Sequence, residues 1–304
     1  MIEKYYDGAI EQVAAGLGTV EKNYLLVRYS GQFSVENLND TKQLEKNEDI
    51  FVQVHEFETG EITCAYEPYL TMICDGFRRY MTGTFEEFME TCDVYYLHRP
   101  VLLGYFNQDN TGREEIILLD EVAYEQERML AALERMLCAI ADRHPVLFVL
   151  NRFQLASKST MQLTARFLKC ENCNIGLVLG VSDIQAMPEF LVPDWEMLYE
   201  TLDDGSKIYH IGNSGRKKEE TIDDEKYVDY GSEKVYRKLQ NMVEFLDFDQ
   251  AAYYLETIER KIKFDNLLVD DAARFRMWLL FVKVSILRQD IPCLLYTSDA
   301  ADDL

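Results

Sequence analysis

Residues 146–150 read Val-Leu-Phe-Val-Leu, five apolar residues in a row with no polar position to turn towards water. A strand of this kind must be covered on both faces, which is the situation inside a parallel sheet sandwiched between helices. Its neighbours fit that reading. Glu125–Arg143 is an amphipathic helix with Met129, Leu130, Leu133, Met136, Leu137 and Ile140 on one face, and Pro145 separates it from the strand. A polar turn and a second helix, Thr160–Leu168, follow. Further strands are predicted at Tyr24–Tyr29, Ile50–Phe57, Ile175–Val181 and Lys207–Ile211. Helices are predicted at residues 9–20, around Glu36–Lys46, from Tyr66 towards Tyr80 and at Trp195–Leu202, with Gly83–Tyr105 part helix and part loop. Strands alternating with helices over residues 1–213 predict an α/β domain with a mostly parallel, helix-covered sheet.

Residues 214–231 mix Ser, Gly, Arg, Lys, Glu and Asp with almost no apolar side chains, and read as a charged linker. Residues 232–292 are purely helical in pattern. Val235, Leu239, Met242, Val243 and Leu246 form one apolar stripe, and Ala251, Ala252, Leu255, Ile258 and Ile262 a second. Phe275, Trp278, Leu279, Val282 and Ile286 form a third, and Trp278, like Tyr253 and Tyr254, reads as core by its helical spacing. The turn at Leu246–Ala251 recurs at Leu287–Pro292, with Asp249 and Asp290 41 residues apart. Paired helices at such a period resemble tetratricopeptide repeats with a lengthened loop, the usual period being ~34 residues. The resemblance implies an all-α helical-repeat segment that binds a protein partner. A repeat whose last helix lacks a neighbour is expected to leave Phe275, Trp278 and Phe281 partly uncovered and to invite self-association.

The segment His144–Leu168 also carries a resemblance. An apolar strand after His-Pro, then a short aromatic-containing turn with Gln154 and Ala156, then a helix, is similar to the Walker B segment of the AAA-like signal-transducing ATPases of the STAND class. There the strand ends in two acids and an Asp follows. Here Asn151 and Arg152 stand at the positions of the acids and Ser157 at that of the later Asp. The Tyr66-Glu-Pro-Tyr-Leu helix start resembles the same family, and Ile175–Val181, ending in Ser182-Asp183, takes the place of its sensor strand. The likeness runs over roughly residues 5–213 and implies a P-loop NTPase-like sheet.

The chemistry of that family is missing from this chain. A working phosphate loop, GxxxxGK[ST], brings backbone N–H groups and a lysine to the phosphates. After the first strand this chain has Tyr29-Ser-Gly-Gln-Phe-Ser-Val-Glu-Asn, with one glycine, Gly31, then Ser34, and Glu36 near the place of the lysine. An amide and a guanidinium at 151 and 152 cannot hold Mg²⁺ as carboxylates do. The expectation is an eroded site with no cofactor, no metal and no ATP hydrolysis. Proteins resembling this arrangement carry an output domain after the repeats, either a GGDEF-type diguanylate cyclase or a helix-turn-helix domain. The Asn151-Arg-Phe-Gln form leans towards the cyclase. The function expected of this chain is thus that of a non-catalytic regulatory and interaction fragment of a bacterial signalling protein. The alternative is a nucleotide-binding sensor of a transcriptional regulator.

Charge and cysteine usage narrow the partners. The formal charge is −23, and a strongly acidic surface repels nucleic acid and anionic membrane. The one dense basic run, Arg216-Lys217-Lys218, is followed at once by Glu219 and Glu220. The longest apolar stretch, Met277–Leu287, is broken by Lys283 and is shorter than the ~20 residues of a membrane span. Scattered cysteines and an acidic N-terminus point to reduced thiols in a cytoplasmic protein. Cys170-x-x-Cys173 has no second pair to complete a zinc site and reads as two thiols in a turn. Cys293–Leu304 resembles a translated sequencing-library adapter and is set aside from fold reasoning. The histidines His55, His98, His144 and His210 are scattered, no GxSxG is present, and Asp203-Asp204 and Asp223-Asp224 read as turn and linker.

Overall fold

The computed structural model describes residues 2–19, 23–30, 33–46, 48–58, 60–108, 122–170, 174–182, 187–202, 208–211, 230–264 and 269–288. In chain order the elements are α1 (Ile2–Gly16), β1 (Tyr24–Tyr29), α2 (Asn39–Leu44), β2 (Phe51–Glu56), α3 (Tyr69–Tyr80), α4 (Phe85–Thr91), α5 (Arg99–Asn107) and α6 (Val122–Ala141). Then follow β3 (Val146–Asn151), α7 (Lys158–Lys169), β4 (Ile175–Ser182), α8 (Val192–Leu202), β5 (Ile208–Ile211), α9 (Glu233–Glu244), α10 (Phe248–Phe264) and α11 (Asp271–Leu287). The chain divides into two compact units. One comprises residues 1–61, 66–94 and 130–226; the other comprises 62–65, 95–129 and 227–304. Residues 214–229 of the proposed linker 214–231, the adapter-like tail 293–304, Gly31, Cys173, Asp183 and the acidic pairs at 203–204 and 223–224 lie outside the described residues.

The first unit is α/β. All of its strands pair in parallel, in the order β2-β3-β4-β1-β5. Both central strands β3 and β4 are buried along their whole length, as the apolar runs required. Alternation along the strands sorts the side chains. On one face Leu25, Val27, Leu147, Val149 and Val178 meet Tyr6, Ala9, Ile10 and Val13 of α1. On the other, Phe148 packs edge-on against Tyr69 of α3, which in turn meets Phe167 of α7. Helix α1 begins earlier than the periodicity suggested and stops at Gly16, with Gly18 beyond it at φ 82°. In place of one helix at 36–46 there is a 3₁₀ turn at Val35–Asn37 followed by α2.

The second unit is helical. Ser232 caps α9 by accepting from the Val235 N–H, and Asp270 caps α11 by accepting from the Ala273 N–H at 2.9 Å. Helix α9 turns into α10 through Leu246 in the left-handed region (φ 66°), closed by the Asp247 N–H donating to the Met242 carbonyl. Residues 62–65 join this unit: Asn241 accepts from the Ala65 N–H, and Lys238 donates to the Ile62 carbonyl. The first predicted stripe is buried throughout, and the second through Ile258. The third is partly uncovered at Phe275, Trp278 and Phe281, as expected. Helix α11 packs on α9 and α10 through Ala273, Met277, Leu280 and Val284, while Phe275, Trp278, Leu279 and Ile286 are exposed. Helix α11 is apolar on two sides, and the sequence alone could not say which side the neighbouring helices take.

Candidate functional site

In an open parallel sheet the carboxyl ends of the strands are where ligands bind. Here β1, β3 and β4, the strands carrying the resemblance, lie side by side, so their C-terminal residues share one edge. Alternation and register place Tyr29, Glu56, Asn151 and Gly180 on the face covered by α1.

Asn151 is fully buried. Its Oδ1 accepts from the Tyr29 hydroxyl at 2.7 Å and its Nδ2 donates to the Phe33 carbonyl at 3.1 Å. The amide therefore ties the end of β3 to β1 and to the turn beyond β1, across the intervening β4. Gly180 of β4 makes the crossing possible: a Cβ there would meet the Tyr6 hydroxyl and approach Asn151 Oδ1 to 2.6 Å. Burial pushes the Tyr29 hydroxyl up to about 12, against the pull of Arg152. At neutral pH it is thus a proton donor. Tyr6, Tyr29 and Phe33 form a three-ring cluster beneath the turn, with centroids 5.3–6.5 Å apart.

A second set of bonds centres on Glu56, the last residue of β2. Its Oε2 accepts from Ser34 Oγ at 2.8 Å and from the Val35 N–H at 3.1 Å. Its Oε1 lies 3.4 Å from Arg152 Nε. Arg152 itself sits in the left-handed region, φ 54° and ψ 41°, which turns the chain from β3 into the 3₁₀ turn Phe153–Leu155. Glu36 is exposed and takes no part beyond its N–H, which donates to Ser34 Oγ. Gln154 pairs both ends of its buried amide with Ser182 of β4, Nε2 to the carbonyl at 3.1 Å and Oε1 from the N–H at 3.3 Å. Ser157 is the N-cap of α7, bonded to the Thr160 N–H and to the hydroxyls of Ser159 and Thr160. Ser159 in turn accepts from the Tyr66 N–H, and Thr160 donates to the Glu67 carbonyl, so α7 anchors the Tyr66-Glu-Pro segment.

The sequence singled out Ser34, Asn151 and Arg152, and the fold brings all three to one edge. Residue type and spacing alone give no role to Glu56, Tyr29, Tyr6 or Gly180. The signal for Glu56 was its place as the terminal residue of a strand in register with Asn151. The histidines are dispersed: His55 lies edge-on to Phe57, His144 stacks on Tyr80 with centroids 4.1 Å apart, and His210 is exposed on β5. In the helical unit buried His98 meets Glu125 at 2.8 Å. Among the described residues no group of three or more His, Cys, Asp or Glu could hold a metal ion. No helix among them is long and apolar enough to cross a membrane.

Beside this closed network, the ends of β1, β4 and β5 leave a cleft of about 200 Å³ lined by Arg28, Ser30, Ser182 and His210. It is smaller than the ~300–1,000 Å³ usual for a small-molecule site. In the helical unit a larger groove, about 660 Å³, runs between α10 and α11, floored by Ile258, Ile262, Phe275, Trp278 and Phe281. Compared with known proteins, the chain matches no family model and no curated sequence.

Proposed function

We propose that this chain is a non-catalytic regulatory and interaction module, its α/β unit a STAND-like nucleotide fold that has kept the scaffold and lost the chemistry. The observation that carries the reading is the wiring of the strand ends. The groups standing where a phosphate loop and metal acids would act are engaged with one another: Ser34 and Val35 with Glu56, Glu56 with Arg152, Asn151 with Tyr29 and Phe33. An amide at 151 holds the fold by donating and accepting at once, which a metal-binding carboxylate cannot do. The interaction half of the proposal rests on α10 and α11, whose groove is of ligand-site size and lined by aromatic side chains open to water. On the resemblance, such a module serves a bacterial signalling protein, one with a GGDEF-type cyclase output in our reading.

The test is hydrolysis and binding of Mg²⁺-ATP and Mg²⁺-GTP by the whole chain. The expected result is no turnover above a blank and no nucleotide-dependent rise in Tm. Turnover that disappears on Arg152→Ala or Ser34→Ala would overturn the non-catalytic reading. The alternative, a nucleotide sensor, is favoured only by the cleft at Arg28, Ser182 and His210. Saturable stabilisation by nucleotide without turnover, abolished by Arg28→Ala, would establish it instead.

A further inference from the structure

Arg28 and His210 stand side by side at the carboxyl end of the sheet. They are register partners across the parallel pair β1 and β5, so their side chains leave the sheet on one face, the opposite of the face that Tyr29 and Asn151 share. Both are exposed, and neither forms an ion pair among the described residues. The Arg28 guanidinium lies over the ring of Tyr199 in α8, 5.6 Å from its centroid. With Ser30 and Ser182 these two residues line the cleft of about 200 Å³, and no acid is among the lining residues. The N–H groups of Ser30 and Ser182 are already committed, to the Ile211 carbonyl at 3.2 Å and to Gln154 Oε1 at 3.3 Å. A ligand in the cleft therefore meets side chains, with Arg28 and His210 as the nitrogen donors. The topology opens the cleft at this place. Strand β1 runs on into α2, which packs with α1 on one face of the sheet, while β4 runs on into α8, which lies beside α7 on the other. Adjacent parallel strands whose connections leave on opposite faces part at their carboxyl ends, and ligands of such sheets bind there.

We propose that this cleft binds one phosphate group, free or at the end of a small ester, between Arg28 and His210. The site goes beyond the reading of α10 and α11 as a docking surface, and uses none of Ser34, Glu36, Asn151 and Arg152. A guanidinium donates two parallel N–H bonds to oxygens of the same anion. The imidazole donates from the neighbouring strand, about 4.8 Å away. Donors arriving from separate strands suit a tetrahedral anion, which accepts from several directions, better than a planar carboxylate, which one guanidinium satisfies. A cationic ligand would find no carboxylate in this lining. The volume is below the ~300 Å³ at which small-molecule sites begin, so the cleft takes the anionic group and leaves no room to bury a base and sugar as well. The formal charge of −23 repels anions at range, but at physiological salt the Debye length is about 8 Å, and inside it the uncompensated Arg28 dominates.

The experiment titrates the full chain with inorganic phosphate by isothermal titration calorimetry, in a phosphate-free buffer at constant ionic strength. Glycerol phosphate, acetate and ATP are the comparison ligands. Phosphate or glycerol phosphate should saturate one site with a Kd of about 1 mM or below, as a few charge-assisted hydrogen bonds allow. The tighter of the two shows whether the free ion or a small ester is the better ligand. Arg28→Ala should weaken binding about tenfold or more, and His210→Ala about threefold or more. Arg28→Lys keeps the charge without the fork and should lose less than Arg28→Ala. Both positions are exposed, and circular dichroism checks each variant's fold. If Arg28→Ala does not fold, His210→Glu carries the test: it sets a carboxylate beside the guanidinium and should abolish binding by itself. If neither phosphate ligand saturates a site, or if binding is unchanged in Arg28→Ala or His210→Glu, the proposal falls. Acetate binding as tightly as phosphate would replace the phosphate group by a carboxylate. ATP binding more tightly than phosphate would give the cleft to the nucleotide-sensor reading instead.

Discussion

The substitution Asn151→Asp introduces an acid where the resembling ATPases carry one, and should unfasten the sheet edge without creating chemistry. The buried amide donates to the Phe33 carbonyl at 3.1 Å and accepts from Tyr29 at 2.7 Å. An ionised carboxylate in its place keeps the bond from Tyr29 but turns an acceptor towards an acceptor at Phe33. A buried carbonyl left without its donor costs about 1–3 kcal/mol, and a buried charge adds to it, so the loss at neutral pH should be about 2–4 kcal/mol. The protonated acid can donate to Phe33 through its O–H, so the loss should nearly vanish at low pH. The folded variant then holds the proton more tightly than its unfolded chain, whose Asp pKa is about 3.9, and stability falls as pH rises. The difference from wild type should grow by about 1.4 kcal/mol per pH unit above pH ~4 until the folded-state pKa is passed. Urea unfolding between pH 4 and 8 measures this. With Trp278→Phe in the background, Trp195 of α8, packed near Phe153, is the one tryptophan left and reports on the α/β unit. A pH-independent loss below about 0.5 kcal/mol would refute the reasoning, because Asn151 would then not be the tie that its bonds describe.

The Tyr6 hydroxyl is fully buried and has no hydrogen-bond partner among the described residues, so Tyr6→Phe should leave stability unchanged or raise it by up to about 1 kcal/mol. A loss above about 1 kcal/mol in urea unfolding would show that the hydroxyl has a partner in solution. Burial pushes the thiols of Cys74 and Cys92 up to about 12 and about 11. Iodoacetamide at pH 8 should therefore spare both in the native protein and modify them in denaturant, as mass spectrometry would show; native labelling at the rate of the half-buried Cys138 would count against the packing of α3 and α4.

The parallel sheet was legible because Val146–Leu150 and Ile175–Val181 are apolar on both faces, a constraint so local that no partner strand need be known to read it. That Asn151 and Arg152 stand at a strand end where the resembling ATPases carry acids was legible for the same reason: it concerns residue types at consecutive positions. What the residues at 34, 151 and 152 do instead was not, because their partners come from strands far apart in sequence. Tyr29 and Asn151 are 122 residues apart and meet only because β4 lies between their strands and has glycine at 180. Glu56 becomes a bridge only once β2 pairs with β3 in the register that sets it beside Asn151. The same limit explains α11. Its two apolar lines are equivalent to a periodicity argument, and only the packing of Met277, Leu280 and Val284 against α9 and α10 decides that Phe275 and Trp278 are the ones left in water.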